Sequence, residues 1–273
     1  MDTLANAPPP GPLHRQPQRQ PQFWADRIRA SSIHLGLSLA IAALAALLVF
    51  GLWYPYPYRE ISGGRELFML LVSVDVVLGP LITLAIFNRV KPWPVLRRDL
   101  MVVGLLQLGA LGYGLWTVAV ARPVHLVFEY YRFNVAHAIE IPKEDVDKTA
   151  PGIVAMPWSG PTVVSLRPFK SRAEDAEITL AAAMGGVGLE ARPQLWQPYL
   201  AASEQIKKEA KPLALLKTRF AAQTALIEAT VAPFGTSGQQ FVYLPMVARQ
   251  TFWTVLLDPA SLEVKAFLPL DSF

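Results

Sequence analysis

Cysteine is absent from the 273-residue sequence, and charged residues are sparse. Without cysteine the chain has no disulfide bond, no thiolate metal ligand and no cysteine nucleophile. Asp, Glu, Lys and Arg together make up 17% of the residues, whereas 52% are hydrophobic and the mean hydropathy is +0.31. A soluble domain of this size is usually less apolar, so we expect the apolar residues to be clustered in long runs.

The net charge of +4 is unevenly distributed along the chain. The first 121 residues contain 10 basic and 6 acidic side chains, whereas the remaining 15 basic and 15 acidic side chains cancel. No basic cluster with interleaved aromatic residues occurs, although a nucleic-acid surface would require one. The positive excess therefore indicates the flanks of membrane helices, and we expect no nucleic-acid partner.

Three apolar runs are long enough to cross a lipid bilayer, at about 35–54, 67–87 and 100–121. The first contains 20 residues, which at about 1.5 Å per residue span roughly 30 Å, the thickness of a bilayer core. A cleaved signal peptide is the alternative for this run. However, the run begins late and ends in LWYPYPY rather than at a small-residue cleavage site. The sequence therefore predicts a membrane domain over 23–121 with three transmembrane α-helices.

The distribution of Lys and Arg predicts the orientation of these helices. Basic residues outnumber acidic ones before the first run and in the loop between the second and third: Arg15, Arg19, Arg27, Arg29, Arg89, Lys91, Arg97 and Arg98. The loop between the first and second runs has Arg59 and Arg65, which Glu60 and Glu66 balance. The positive-inside rule then places the amino terminus on the cytoplasmic side of the membrane and residues 122–273 outside, which in a Gram-negative cell means the periplasm.

The ends of the membrane domain carry two further compositional signals. Residues 1–22 are rich in Pro and Gln and too polar to form a core, so we expect a disordered cytoplasmic tail. Four aromatic residues at the outer end of the first run predict a belt at the membrane surface: Trp53, Tyr54, Tyr56 and Tyr58.

Asp75 is the one charged residue of the second run. An aspartate near the centre of a bilayer costs about 2.5–3.5 kcal/mol, so it usually faces other helices and has a partner. Asp75 and Tyr113 each lie eight residues below the outer end of their runs, or about 12 Å deep. This shared depth predicts a polar contact between them. The same counting predicts a deeper polar layer of Thr83, Gln107 and Ser38.

A Gly-Pro pair follows Asp75 in the same run. Pro80 has no N–H to donate, so we expect a kink between Val76 and Pro80. Gly79 and the small residues of the third run allow close helix packing. These features are consistent with three roles: holding the three helices together, receiving a helix of a partner, or conducting protons. A single acidic residue makes a poor proton relay.

The 151 residues from Pro123 onward are enough for one domain. Strand-like segments rich in β-branched and aromatic residues are VHLVFEYYRFNVAHAIEI, TVVSLRP, QQFVYLPMVAR, TFWTVLLD and LEVKAFLPL. Helix-like segments are SRAEDAEITLAAAMGG, PYLAASEQIKKEA and PLALLKTRFAAQTALIEAT, the last opened by Pro212. We therefore expect an α+β periplasmic domain with a small, mostly antiparallel sheet.

Signals for catalysis are weak in this region. MGGVGLE lacks the Lys-Ser/Thr ending of a phosphate loop and follows a helix, so a glycine helix cap is favoured. His125 and His137 do not have metal-ligand spacing, and we expect His125 at the membrane-proximal surface. Ser159 in PWSGP lacks the context of a nucleophile. The sequence predicts neither an enzyme nor a metal or cofactor site.

Several motifs together resemble the TfpX/TfpZ family of type IV pilin accessory proteins. They are LWYPYPY, VDVVLGPLITLAIF, RRDLMVVGLLQLGALGYGLW, ARPVHLVF and the closing strands of the chain. The resemblance implies an inner-membrane chaperone or assembly modulator that binds a cognate type IV major pilin, whose hydrophobic helix carries a glutamate near its start. The residues that we expect to bind this partner or to form the intramembrane polar site are Asp75, Gly79, Pro80, Thr83, Gln107, Tyr113, Arg122 and Pro123. The alternatives are a membrane-tethered periplasmic sensor or ligand-binding protein and, third, a membrane enzyme.

Overall fold

A computed structural model describes residues 20–249 and 251–273. The predicted tail over 1–22 lies outside the described residues apart from its last three, with which the first helix begins.

Three long apolar helices form the first part of the fold. Span one consists of α1 (Gln20–Leu48) and a π-helical turn (Val49–Trp53), and the short helix α2 (Tyr58–Ile61) follows it. Span two consists of α3 (Gly64–Ser73), a π-helical turn (Val74–Leu78) and α4 (Gly79–Ile86), and span three is α5 (Trp93–Val120). Their apolar lengths of 31, 23 and 28 residues are each sufficient to cross a membrane. The prediction of three apolar spans is confirmed.

The break expected at Pro80 takes the form of a π-helical turn. This turn ends at Leu78, and Pro80 lies at the start of α4, where a missing N–H is tolerated. A π-helical turn adds a residue to the helix, which changes the faces presented before and after it.

Span two lies between the other two spans. Its carboxyl-terminal half, α4, packs along α1, while both α3 and α4 pack on α5; α1 and α5 have little direct contact with each other. The bundle is therefore open along the side where α1 and α5 face each other.

Residues 122–273 lie outside the helix bundle, and we call them the outer domain. The residues described there form a mixed eight-stranded sheet. Its strands are β1 (Pro123–Glu129), β2 (Arg132–His137), β3 (Thr162–Leu166), β4 (Trp196–Pro198), β5 (Lys211–Pro212), β6 (Val242–Val247), β7 (Phe252–Leu257) and β8 (Val264–Leu268). The spatial order is β4-β3-β1-β2-β6-β7-β8, and β5 also pairs with β6. The β1–β3 and β2–β6 pairings are parallel and the others antiparallel. The prediction of an α+β domain with a mostly antiparallel sheet is confirmed.

The described part of this domain also contains five α-helices: α6 (Arg172–Ala183), α7 (Ser203–Glu209), α8 (Leu213–Arg219), α9 (Thr224–Val231) and α10 (Gly235–Gly238). The Ser171 hydroxyl caps α6 by accepting from the Glu174 backbone N–H at 3.1 Å. Gly185 ends it at φ +85°, a conformation that glycine adopts easily. The MGGVGLE segment is therefore the predicted helix cap followed by a loop.

The loop between spans one and two belongs to the core of the outer domain. Tyr58 and Ile61 of α2 are buried among Leu126, Phe133 and other side chains of the sheet. Trp53 and Tyr54 are also buried, and only Tyr56 of the predicted aromatic belt is exposed. The belt prediction was wrong for the three buried residues, because these rings pack against protein rather than lipid headgroups.

His125 also differs from its predicted position. It is fully buried, stacks edge-on against Trp196 at 4.4 Å, and bonds to the Thr162 hydroxyl at 2.8 Å and the Ala155 carbonyl at 3.0 Å. Burial lowers its pKa to about 4, so the imidazole is neutral at pH 7. The surface prediction was wrong because β1 alternates between two buried faces rather than one buried and one exposed.

Candidate functional site

The opening between α1 and α5 contains a cavity of about 200 Å³, which we call the α1–α5 groove. Span one lines it with His34, Leu37, Ser38, Ile41 and Ala42, span two with Val72 and Asp75, and span three with Gly104, Gln107, Leu108 and Leu111. The walls are mainly apolar, with His34, Ser38 and Gln107 as their polar residues, and Asp75 is the polar residue of the floor formed by span two. A mainly apolar groove with a few polar residues is complementary to an apolar helix that carries one polar group.

Asp75 lies at the floor of this groove. Its Oδ1 atom is buried, and within the described residues it has no hydrogen-bond partner. The Gln107 amide reaches the Asp75 backbone carbonyl at 3.4 Å rather than the carboxyl group. A buried oxygen without a donor is costly in a low-dielectric setting, so the carboxyl group is available to a donor from outside the chain.

The predicted contact between Asp75 and Tyr113 is not made in the part of the chain described. Tyr113 is 69% exposed and its ring lies 5.7 Å from that of Trp116. Both residues line a separate cavity of about 230 Å³ between spans two and three. Counting residues gave the depth correctly but not the direction in which each side chain points around its helix.

The deeper polar layer exists, and it is centred on a residue that the sequence analysis missed. His34 Nδ1 lies 2.6 Å from the Thr83 hydroxyl, and His34 shares the groove with Ser38 and Gln107. The predicted apolar run begins at residue 35, one position after His34. The spacing of Ser31, His34 and Ser38 is i, i+3, i+7, and it marks a single polar face of α1.

Gly79 and Pro80 lie inside the bundle. A methyl group at Gly79 would overlap the Gln107 amide and approach His34, so this glycine permits close packing of all three spans. The Pro80 carbonyl accepts from the Ser31 hydroxyl at 2.8 Å. Through these contacts Gly79, Pro80 and the buried Thr83 help to hold the three helices together, which is one of the roles expected for the predicted site.

Arg122 and Pro123 lie where span three enters the sheet, in a contact region that we call the joint. The Arg122 guanidinium donates to the Ala119 carbonyl at 2.7 Å and to the Pro157 carbonyl at 3.3 Å, and it lies 5.3 Å from the Trp158 ring. Trp158 in turn packs edge-on against Trp53. Burial lowers the pKa of Arg122, but an arginine keeps its charge at pH 7.

Backbone, ring and packing contacts extend the joint to spans one and two, because Phe68 of span two lies in the same buried cluster as Tyr54 and Val118. The Gly160 N–H donates to the Leu52 carbonyl at 2.7 Å, and the Tyr54 hydroxyl donates to the Val118 carbonyl at 3.1 Å. Because three spans and the 157–160 loop meet there, the joint fixes the outer domain relative to the α1–α5 groove.

The chemistry of the groove is that of hydrogen bonding and packing. Across residues 20–249 and 251–273, no three His, Asp or Glu side chains cluster closely enough to hold a metal ion. His137 Nδ1 lies 3.1 Å from Glu140 Oε2. Both ring nitrogens of His125 are already hydrogen-bonded, one to Thr162 and the other to Ala155.

The chain thus combines three apolar helices of membrane-spanning length, a groove between two of them and an attached outer domain, and comparison with known proteins identifies its family. The family model "Fimbrial assembly protein FimB" matches residues 22–63, from the start of α1 to α2. The serogroup I fimbrial assembly protein of Dichelobacter nodosus is 32% identical over 248 residues, covering 90% of this chain and 95% of that protein.

Other relatives from the same organism agree. The serogroup E1 protein is 30% identical over 247 residues, again covering 90% of this chain and 95% of its own length. The protein of serogroups C1 and C2 is 43% identical over 101 residues, which is 37% of this chain and 77% of that protein. No solved structure gives a significant match.

The chain belongs to the fimbrial assembly protein family FimB. It is a bacterial membrane protein of fimbrial biogenesis, and its family favours a structural or assembly role over a catalytic one. The resemblance found in the sequence is thus supported at the level of type IV pilus assembly.

Proposed function

We propose that this protein is an inner-membrane accessory factor of the TfpX/TfpZ type, which binds a cognate type IV pilin and acts as its chaperone or as a modulator of its assembly. Its amino terminus faces the cytoplasm and residues 122–273 face the periplasm. The observation that carries the proposal is the α1–α5 groove, at whose floor the buried Oδ1 atom of Asp75 has no hydrogen-bond donor among the described residues.

The form of the groove suits a helix as its occupant. It runs along two helices that do not close on each other, and its apolar walls leave little for a polar ligand to bind. Ala42 and Gly104 stand on opposite walls, and a methyl group on Gly104 would meet no atom within 4 Å. Small residues of this kind let a further helix backbone approach closely in lipid.

The floor of the groove suits one polar group on that helix. Asp75 offers an acceptor and the Gln107 amide offers a donor whose present bond, at 3.4 Å, is long. A pilin glutamate could share a proton with Asp75 and accept from Gln107. Two ionised carboxylates at this depth would repel each other, so the pairing requires that one of them is protonated.

The outer domain complements the groove. The joint holds the domain at a fixed position above it, so a pilin helix in the groove would present its globular head to the sheet and helices of residues 122–273. Contact at both places would keep a pilin subunit from associating prematurely.

Co-purification from a mild detergent tests the proposal. Pilin should be recovered with the wild type, and its recovery should fall with Asp75→Ala. Ser73→Ala is the matched control, because Ser73 is an exposed polar residue of the same span that lines neither cavity. Equal pilin recovery with all three proteins would exclude Asp75 from the binding surface, and failure to recover pilin with the wild type would contradict pilin binding itself.

A further inference from the structure

A third and larger cavity opens at the amino-terminal end of the bundle. Its volume is about 530 Å³, within the range of roughly 300–1,000 Å³ typical of small-molecule sites. It lies between α1, α4 and α5, and it shares His34, Leu37 and Gly104 with the α1–α5 groove. We call it the basal cavity.

The mouth of the basal cavity is basic. Arg29 and Arg89 both line it and both are exposed, and Asp26 is its single acidic residue. Asp26 pairs with Arg89 at 3.3 Å. Among the described residues, no carboxylate lies within ion-pair distance of Arg29, so the mouth has one uncompensated positive charge.

The walls behind the mouth are apolar. They are formed by Ile33, Leu37, Phe87, Leu100 and Val103. A charged mouth at the end of a helix bundle with an apolar interior behind it matches a ligand that has an anionic head and a hydrocarbon tail. A partner helix fits this mouth less well than such a ligand. The end of a helix backbone carries no compact anion that would contact both guanidinium groups.

We propose that the basal cavity is a binding site for an anionic phospholipid of the leaflet that faces the amino terminus. The phosphate lies between the guanidinium groups of Arg29 and Arg89, which form strong charge-assisted hydrogen bonds with phosphate oxygens. One acyl chain lies along Ile33, Leu37 and Leu100 toward the α1–α5 groove. The lipid fills the part of the opening between α1 and α5 that lies at the basal cavity.

Native mass spectrometry of the full-length protein in mild detergent tests this site. Phosphatidylglycerol should be retained more strongly than phosphatidylethanolamine, because only the former carries a net negative charge. The double variant Arg29→Gln/Arg89→Gln should bind phosphatidylglycerol about tenfold more weakly or worse. The matched control is Arg97→Gln/Arg98→Gln, which removes the same charge from the same end of the bundle but from residues outside the cavity, and it should bind like the wild type.

A second arm tests the acyl chain and guards against misfolding of the arginine variant. Ala30→Phe fills the basal cavity while keeping both arginines, and it should also lose phosphatidylglycerol retention. Glycerol phosphate, which has the head group without the chains, should not raise the melting temperature of the wild type.

The site is excluded if both lipids are retained equally, if the two double-arginine variants lose lipid to the same extent, or if Ala30→Phe retains lipid like the wild type. Stabilisation by glycerol phosphate alone would indicate a phosphate site rather than a lipid site. None of these measurements involves pilin, so the result is independent of the proposed pilin binding.

Discussion

The substitution Gly64→Ala is the strongest test of the packing at the joint. Gly64 is the first residue of α3, and its Cβ position lies 2.3 to 2.8 Å from three atoms of the Tyr54 ring. These distances are far below van der Waals contact, so either the ring or the start of α3 must move.

The ring cannot move freely. Tyr54 is fully buried, and its hydroxyl donates to the Val118 carbonyl at 3.1 Å. Overpacking of a buried site costs about 1–3 kcal/mol, and loss of the hydroxyl bond costs about 1 kcal/mol more. The gain in helix propensity from alanine is at most about 1 kcal/mol. We therefore expect Gly64→Ala to lower the free energy of unfolding by about 1–3 kcal/mol.

Thermal unfolding of the full-length protein in detergent measures this loss. Gly51→Ala is the matched control, since a methyl group there meets no atom within 4 Å, and it should leave the melting temperature unchanged or slightly higher. In a double-mutant cycle, Tyr54→Ala should remove most of the cost of Gly64→Ala, because the colliding ring is gone. If Gly64→Ala is as stable as Gly51→Ala, the packing described for the joint is incorrect.

Three further predictions concern other parts of the molecule. Asp75→Leu should raise bundle stability, by up to about 2.5–3.5 kcal/mol of relieved burial cost, while reducing surface pili; a loss of both would mean that Asp75 is mainly structural. Arg122→Ala removes two hydrogen bonds and the contact with Trp158, which attach the 157–160 loop to the end of span three, so trypsin should cleave faster after Lys148, the nearest preceding basic residue in the chain; an unchanged cleavage rate would contradict these contacts. His125 has a folded pKa of about 4, below its ordinary 6.5, so its stabilising effect is complete above pH 6.5 and is lost as the pH falls toward 4. Over that window stability should fall by up to about 3 kcal/mol, less steeply in His125→Gln, and parallel curves for the two proteins would exclude this origin.

The helical part of the fold was readable from the sequence because each span is a local feature. A run of apolar residues of bilayer length specifies a helix without reference to any other part of the chain, and the break at Pro80 follows from the missing N–H. The sheet was readable only as a set of strands. Its order depends on pairings such as Phe133 with Met246, which are remote in sequence and fixed by tertiary packing.

The depth of the polar residues along their helices could be predicted from the sequence, but the direction in which their side chains point could not. Rise per residue predicts a shared depth for Thr83, Gln107 and Ser38, and all three lie close to His34. The orientation of a side chain around its helix depends on neighbours and, in span two, on the π-helical turn over Val74–Leu78. This is why Tyr113 was wrongly paired with Asp75.

The burial of the aromatic residues at and after the end of span one could not be predicted from the sequence, for a different reason. Trp53, Tyr54 and Tyr58 have the composition of a membrane-surface belt, and sequence composition cannot distinguish lipid headgroups from a protein surface as their neighbour. The 157–160 loop, which supplies Trp158, comes from a part of the chain with no sequence signal linking it to span one.

Site-specific photo-cross-linking in cells that make the pilin tests the central claim most directly. The probe is placed at Leu108, which lines the α1–α5 groove, or at Leu106, which is similarly exposed on the same helix but lies about 200° around it and outside both groove and basal cavity. The groove account predicts a pilin adduct from Leu108 and none, or far less, from Leu106. Adducts of equal yield from both positions, or from Leu106 alone, would contradict it.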